Sequence, residues 1–80
     1  MTNQEFTVLF SALDTYLFGY AMKLTRNPEE AKDLMQETAC RAIKNKNSFK
    51  TGTNFKAWVS TILRNQYINN YRKKSVRRQA

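Results

Sequence analysis

Toward the C-terminal end of this 80-residue chain, Asn65 and Asn69 stand one helical turn apart, with Lys56, Arg64 and Arg72 in the same stretch. An asparagine amide can pair bidentately with a base edge, and lysine and arginine neutralise phosphates, so amides at this spacing among cations point to nucleic-acid chemistry. A second reading stays open for Asn65, in which its amide hydrogen-bonds locally inside a helical bundle. A different group, Asp33, Gln36, Glu37 and Arg41, is acidic on balance. Asp33 and Glu37 at i, i+4 repel one another by about a few tenths of a kcal/mol on a helix surface, so helix stability does not explain them and a partner would. Other chemistries lack their residues. Without a histidine the chain has neither the usual general base nor the usual metal ligand, and a lone Cys40 makes neither an internal disulfide nor a cysteine-rich zinc site. Glu29, Glu30, Asp33 and Glu37 have no histidine companions for a di-metal carboxylate site, and helix-start electrostatics accounts for the first three. No metal, cofactor or enzymatic centre is expected.

The charge that surrounds these groups is unevenly placed. Fourteen Lys and Arg against six Asp and Glu leave +8. All six carboxylates fall in residues 1–37, which carry −3, whereas residues 38–80 hold eleven cations and no acid, +11. Such a split suggests a C-terminal half that faces a polyanion and an N-terminal half that faces something else. For Arg72, Lys73, Lys74, Arg77 and Arg78 a solvated basic tail explains the charge equally well, but not for the cations from Lys44 to Arg64. Eighty residues make one small domain, burying only about 60% of the surface of the unfolded chain. No apolar run approaches the ~20 residues that cross a bilayer. The N-terminal MTNQEFTVLF carries Glu5 rather than a basic leader, so neither a membrane span nor a secretory signal is expected, and the expected address is the cytoplasm.

Three helices and no strand are predicted to position these groups. In residues 6–24, Phe6, Leu9, Phe10, Leu13, Tyr16, Leu17, Tyr20 and Leu24 recur at three- and four-residue steps after Thr2 or Asn3 as cap, which predicts one amphipathic helix. Gly19 inside it costs about 1 kcal/mol relative to Ala and hints at close approach by another helix. Asn27, Pro28, Glu29 and Glu30 read as an N-cap, a proline at the first helical position and carboxylates at the positive end of the dipole. The helix they start should run to about Lys46, burying Ala31, Leu34, Met35, Thr38, Ala42 and Ile43. NKNSFKTGTN (45–54) reads as a loop anchored by Phe49, longer than the roughly two to eight residues usual between bundle helices. The third helix opens after Thr53 or Asn54 and runs about twenty residues, or ~30 Å. Trp58, Ile62, Asn65, Asn69 and Arg72 fall on one stripe, and Phe55, Val59, Leu63, Tyr67 and Tyr71 on its neighbour. The first stripe begins apolar and ends polar, which packing alone would not select.

LTRNPEEAKDLMQETACRAI (24–43) followed by SFKTGTNFKAWVSTILRNQYINNYRKK (48–74) resembles region 2 of the bacterial extracytoplasmic-function sigma factors of the sigma-70 superfamily, with wording closest to Bacteroidetes-type members. The resemblance covers nearly the whole chain and rests on DLMQET, WVSTILRN and the nine-residue step from Phe49 to Trp58 taken together. It implies a compact all-α three-helix bundle with an extended loop before the third helix. It implies a non-enzymatic role in transcription initiation, in which Asp33, Gln36, Glu37 and Arg41 dock on the β′ clamp helices of core RNA polymerase. The loop, here Lys50, Thr51, Gly52, Thr53 and Asn54, would cradle a flipped base of the promoter −10 element on the non-template single strand. Asn65 and Asn69 would help read that element, with Lys56, Arg64, Arg72 and Lys73 on phosphates. An anti-sigma protein is a further implied partner, and a monomer is expected. Two departures are visible: Trp58 is followed by Val59 where primary sigma factors carry a tryptophan pair that wedges the duplex, which implies weaker melting and stricter promoter choice, and Asn69 stands where many relatives have Asp. Residues 1–74 are expected to form the helical domain and 75–80 to begin a basic interdomain linker. The module that reads the −35 element lies outside this sequence, so the chain is expected to be part of a longer one.

Two other classes compete. A stand-alone basic helical regulator of helix-turn-helix type would bind duplex DNA with a short turn before its recognition helix and usually as a dimer. A protein-interaction or membrane-surface bundle would meet anionic lipid with its basic end. The long loop and the acidic surface argue against the first, and preference for single-stranded DNA separates all three.

Overall fold

Thr2 opens the first helix, its side-chain oxygen accepting the Glu5 N–H at 3.1 Å. The computed structural model describes residues 2–50, 52 and 54–79, with side chains as far as Lys73. The helix predicted over 6–24 is two: α1 (Asn3–Ala12) and α2 (Asp14–Thr25). The break is at Leu13 (φ −100°, ψ 3°), whose N–H donates to the Phe10 carbonyl at 3.0 Å. Ser11, Asp14 and Thr15 around it are weak helix formers, and the bend lets the two halves face different partners. Phe6 on α1 meets Phe55 edge-on at 5.9 Å, while α2 buries Leu17 and Ala21 and packs mainly on the helix that follows.

That helix, α3 (Pro28–Lys44), begins where the punctuation places it. Asn27 Oδ1 accepts the N–H groups of Glu29 (2.9 Å) and Glu30 (3.2 Å), satisfying two of the donors a helix start leaves open. Arg26 just before it takes the left-handed conformation at φ 56° and caps α2 by donating its N–H to the Met22 carbonyl at 2.8 Å. Five of the six residues in the predicted stripe of α3 are buried: Ala31, Leu34, Met35, Thr38 and Ala42. Thr38 is fully buried, and its hydroxyl donates back to the Leu34 carbonyl at 2.7 Å, which removes the cost of enclosing a polar group. Ile43, the sixth, is exposed, because it lies one residue, about 100°, round the helix from Ala42, which is fully buried. Asn45 closes α3, its N–H and its side-chain amide both donating to the Arg41 carbonyl. A single 3₁₀ turn (Lys46–Ser48) follows, and Lys46 Nζ donates to Asn3 Oδ1.

The last helix, α4 (Phe55–Gln79), starts at Asn54, whose Oδ1 accepts the Ala57 N–H at 3.2 Å. It is five residues longer than the segment ending at Lys74, since residues 75–79 contain neither the proline nor the glycine that would stop it. Phe55, Val59 and Leu63 are its buried apolar residues and close the core over α3. At the base of α4 an aromatic cluster fixes the loop: Phe49 meets Phe55 edge-on at 5.4 Å and Trp58 at 5.3 Å.

The all-α expectation is met, but the architecture is a four-helix one with a 3₁₀ turn rather than a three-helix bundle, and among the described residues there is no strand. The projecting length of α4 gives the chain extents of 43 × 23 × 18 Å. No helix of the described residues is long and apolar enough to cross a membrane. Two expectations for the first segment fail. Leu9 and Tyr16 are exposed: the inward side runs through Phe6, Phe10, Leu13, Leu17 and Ala21, and each of the two lies one residue, about 100°, round the helix from it. Gly19 is exposed as well, and a Cβ added there would meet nothing within 4 Å, so no helix approaches it closely.

Equilibrium denaturation checks both points. Leu34→Ala, at a residue 1% exposed, is expected to lower stability by about 2–5 kcal/mol through loss of contacts and the cavity left behind. Gly19→Ala is expected to raise it by about 0.5–1 kcal/mol, the gain of replacing an exposed mid-helix glycine that no packing requires.

Candidate nucleic-acid interface

The candidate surface is built on α4 and on the short loop that enters it. Between the Phe49 anchor and the Asn54 cap lie only residues 50–53, so the loop tip is pinned at both ends. Within it Lys50 is exposed, and Gly52 is exposed at φ 95°, a backbone conformation that side-chain-bearing residues rarely adopt. Thr51 and Thr53 lie outside the described residues. Asn54 is exposed, with its Oδ1 engaged as the helix cap.

Along α4 the stripe of Trp58, Ile62, Asn65, Asn69 and Arg72 runs from the aromatic cluster outward. Trp58 is half-buried, tilted against Phe49 and Phe55, so its indole belongs mainly to the core. Asn65 is exposed, which removes it from the bundle interior, and Asn69 is half-buried one turn on. Arg64 and Arg72 are exposed beside them. This face therefore presents two amides flanked by two guanidinium groups, with base-edge donors and acceptors bracketed by phosphate-binding cations.

Two cations stand apart from it. Lys56 Nζ sits 4.0 Å above the Tyr16 ring, a cation–π contact that ties the start of α4 to α2. Lys73 lines a groove of about 320 Å³ between α3 and α4, together with Glu30, Asp33, Leu34, Glu37, Tyr67 and Tyr71. Lys73 thus lies beside the acidic side of the molecule. The acidic set itself is exposed along α3, with Asp33, Gln36, Glu37 and Arg41 all reaching solvent.

Glu37 has an additional attachment that spacing did not reveal. Its Oε2 accepts from Gln66 Nε2 at 3.0 Å and its Oε1 from Asn70 Nδ2 at 3.1 Å, tying α3 to α4. Gln66 is only 9% exposed, a buried polar residue in the place where a Tyr67 stripe was predicted. The predicted stripe advanced in steps of four from Phe55 to Tyr71, and each such step drifts by roughly 40° against a 3.6-residue turn. Corrected for that drift, the core stripe after Leu63 passes through Gln66 and Asn70, leaving Tyr67 half-buried and Tyr71 exposed. The signal that could have found the tie is therefore the helical period itself. Among the described residues no cluster of His, Cys, Asp and Glu could hold a metal ion.

The family profile described as Sigma-70 region 2 matches residues 9–77. The chain is 47% identical over 58 residues to the ECF RNA polymerase sigma factor EcfG of Rhodopseudomonas palustris, covering 72% of this chain and 32% of that protein. It is 33% identical over 57 residues to the RNA polymerase sigma factor YlaC of Bacillus subtilis, covering 71% of this chain and 33% of that one. The chain thus spans about a third of the length of the curated relatives it matches. Since the profile takes in α2, α3 and most of α4, the elements that carry both the acidic surface and the amide face, the chain belongs to the sigma-70 region 2 family.

Proposed function

We propose that this chain is the polymerase-docking and −10-reading part of an extracytoplasmic-function sigma factor, of Bacteroidetes type, acting in transcription initiation. The observation that carries the reading is the division of the α3–α4 pair into two exposed surfaces of opposite character: carboxylates on α3, and amides bracketed by guanidinium groups on α4. The family match and the printed names of the relatives support it.

In this reading Asp33, Gln36, Glu37 and Arg41 meet the β′ clamp helices of core RNA polymerase. The loop from Lys50 to Asn54, Thr51 and Thr53 included, holds an extruded base of the non-template strand. An exposed glycine at positive φ lets backbone N–H groups approach that base, whose unstacking costs a few kcal/mol to be repaid there. Asn65 and Asn69 pair with base edges, while Arg64 and Arg72 beside them supply attraction to phosphates that carries no sequence information. Lys56 and Lys73, set apart from that face, add to this attraction only on a strand that extends past the amides. The domain of residues 1–74 works as a monomer in the cytoplasm, without catalysis of its own. A −35-reading module outside this sequence complements it, and an anti-sigma protein is a further partner. A helix-turn-helix regulator is disfavoured because the connection between α3 and α4 is a 3₁₀ turn plus a pinned loop, not the three- or four-residue turn that motif uses.

Substitutions on α4 and on α3 separate the surfaces. In the native-length protein assembled with core polymerase, Asn65→Ala or Asn69→Ala is expected to weaken binding of the cognate −10 strand by about 1–3 kcal/mol while leaving binding to unrelated strands nearly unchanged. Equal losses on every sequence would remove the base-reading role. Asp33→Lys, at an exposed position, is expected to reduce capture of core polymerase in a pull-down titration without lowering the unfolding midpoint. Undiminished capture would take the docking role from α3.

A further inference from the structure

The amides of α4 come as adjacent pairs one turn apart, Asn65 with Gln66 and Asn69 with Asn70. One member of each pair faces outward and the other faces α3. The inward members form a closed ring with Glu37: Gln66 Nε2 donates to Glu37 Oε2 (3.0 Å) and to Asn70 Oδ1 (3.1 Å), and Asn70 Nδ2 donates to Glu37 Oε1 (3.1 Å). Both N–H bonds of the Gln66 amide and both oxygens of the Glu37 carboxylate are thereby engaged.

This arrangement answers a question the sequence raises. A rotation of α4 by one residue, roughly 100°, would exchange the outward pair for the inward one. Burial of Phe55, Val59 and Leu63 sets the rotation of the first part of α4; beyond it both pairs are amides, and their own hydrophobicity does not distinguish them. Apolar burial on α4 ends at Leu63, and Gln66 is the last buried residue of the helix among those described. Past that point, where only the half-buried Tyr67 still packs on the core, a carboxylate, which accepts hydrogen bonds and donates none, holds inward the amides that the buried stripe brings to α3.

Resting on the −10-reading role given to α4 above, we propose that Gln66 and Asn70 are positioning residues. Through Glu37 they fix the rotation of α4 so that Asn65 and Asn69, and not their neighbours, meet the DNA strand. Base discrimination then depends on two residues that touch no base. It also depends on a carboxylate of α3, the helix assigned to the polymerase, so the two surfaces share one joint.

The test uses the native-length protein at saturating core polymerase. It reads the ratio of affinities for the −10 strand the protein prefers and for the same strand with one base changed. Gln66→Glu sets two carboxylates against each other across a 3.0 Å contact and is expected to lower that ratio about tenfold, as the loss of a charge-assisted hydrogen bond would. Adding Glu37→Gln to that variant again provides one carboxylate and two amides, which can close the same ring, and is expected to restore the ratio. A purely structural loss at position 66 would lower the affinity for both strands alike and leave the ratio unchanged. Should Gln66→Glu fail to fold, Asn70→Ala at a half-buried position reads the same quantity, with loss of discrimination expected. Native discrimination in Gln66→Glu or Asn70→Ala, or no recovery in the paired variant, overturns the positioning role. Absence of discrimination by the unsubstituted protein instead overturns the −10-reading role of α4, and the positioning role with it.

Discussion

Burial of α3 between α2 and α4 is the constraint from which the rest of the molecule follows. Leu34 and Thr38 on α3, Leu17 on α2, and Val59 and Leu63 on α4 are the largest fully enclosed side chains. A chain this short has room for one such layer of contacts. With that stripe turned inward, the remaining faces of α3 and α4 are assigned by helical geometry: carboxylates emerge on one, and amides with arginines on the other. The two candidate surfaces are thus the outward complement of the core. They keep fixed relative positions because the same helices build both.

Two smaller attachments complete the frame where apolar burial is thin. At one end the aromatic cluster of Phe6, Phe49, Phe55 and Trp58 holds the loop against the start of α4. At the other, past Leu63, the ring of Glu37, Gln66 and Asn70 takes over from hydrophobic packing. Hydrogen bonds to a carboxylate are directional in a way that apolar contacts are not. They suit a part of the helix whose rotation matters more than its depth of burial. The same carboxylate reaches the groove lined by Asp33, Tyr67 and Lys73, so the end of the bundle nearest the acidic surface is also where α4 is held by polar contacts.

Much of this was legible in the residues. Asn27 and Pro28 mark a helix start through a hydrogen-bond deficit that a side-chain oxygen fills, a local effect that tertiary context does not override. The buried stripe of α3 is nearly complete because that helix is covered on two sides and its period is clean. The break at Leu13 was not legible, since the apolar spacing from Phe6 to Leu24 runs on across it and Ser11, Asp14 and Thr15 are weak helix formers rather than breakers. Gly19 misled as well: its cost to the helix is real, but nothing approaches it to use the space. Gln66 and Asn70 were overlooked because amides read as surface residues, and because steps of four drift away from the buried face over a helix as long as α4. The DNA-facing assignments from Lys50 to Lys73 rest on chemistry and resemblance, with Lys56 and Lys73 placed by the fold against Tyr16 and the acidic groove rather than beside Asn65.

The central claim is that one surface of this bundle engages polymerase while another reads an unpaired strand. Selection from a random pool of single-stranded oligonucleotides by the native-length protein, with and without core polymerase, tests it most directly. The account predicts a short enriched motif that appears only when core polymerase is present and is not enriched when the pool is supplied as duplex. Enrichment of duplex DNA by the protein alone, or a pool that remains without a motif in the presence of polymerase, would contradict it.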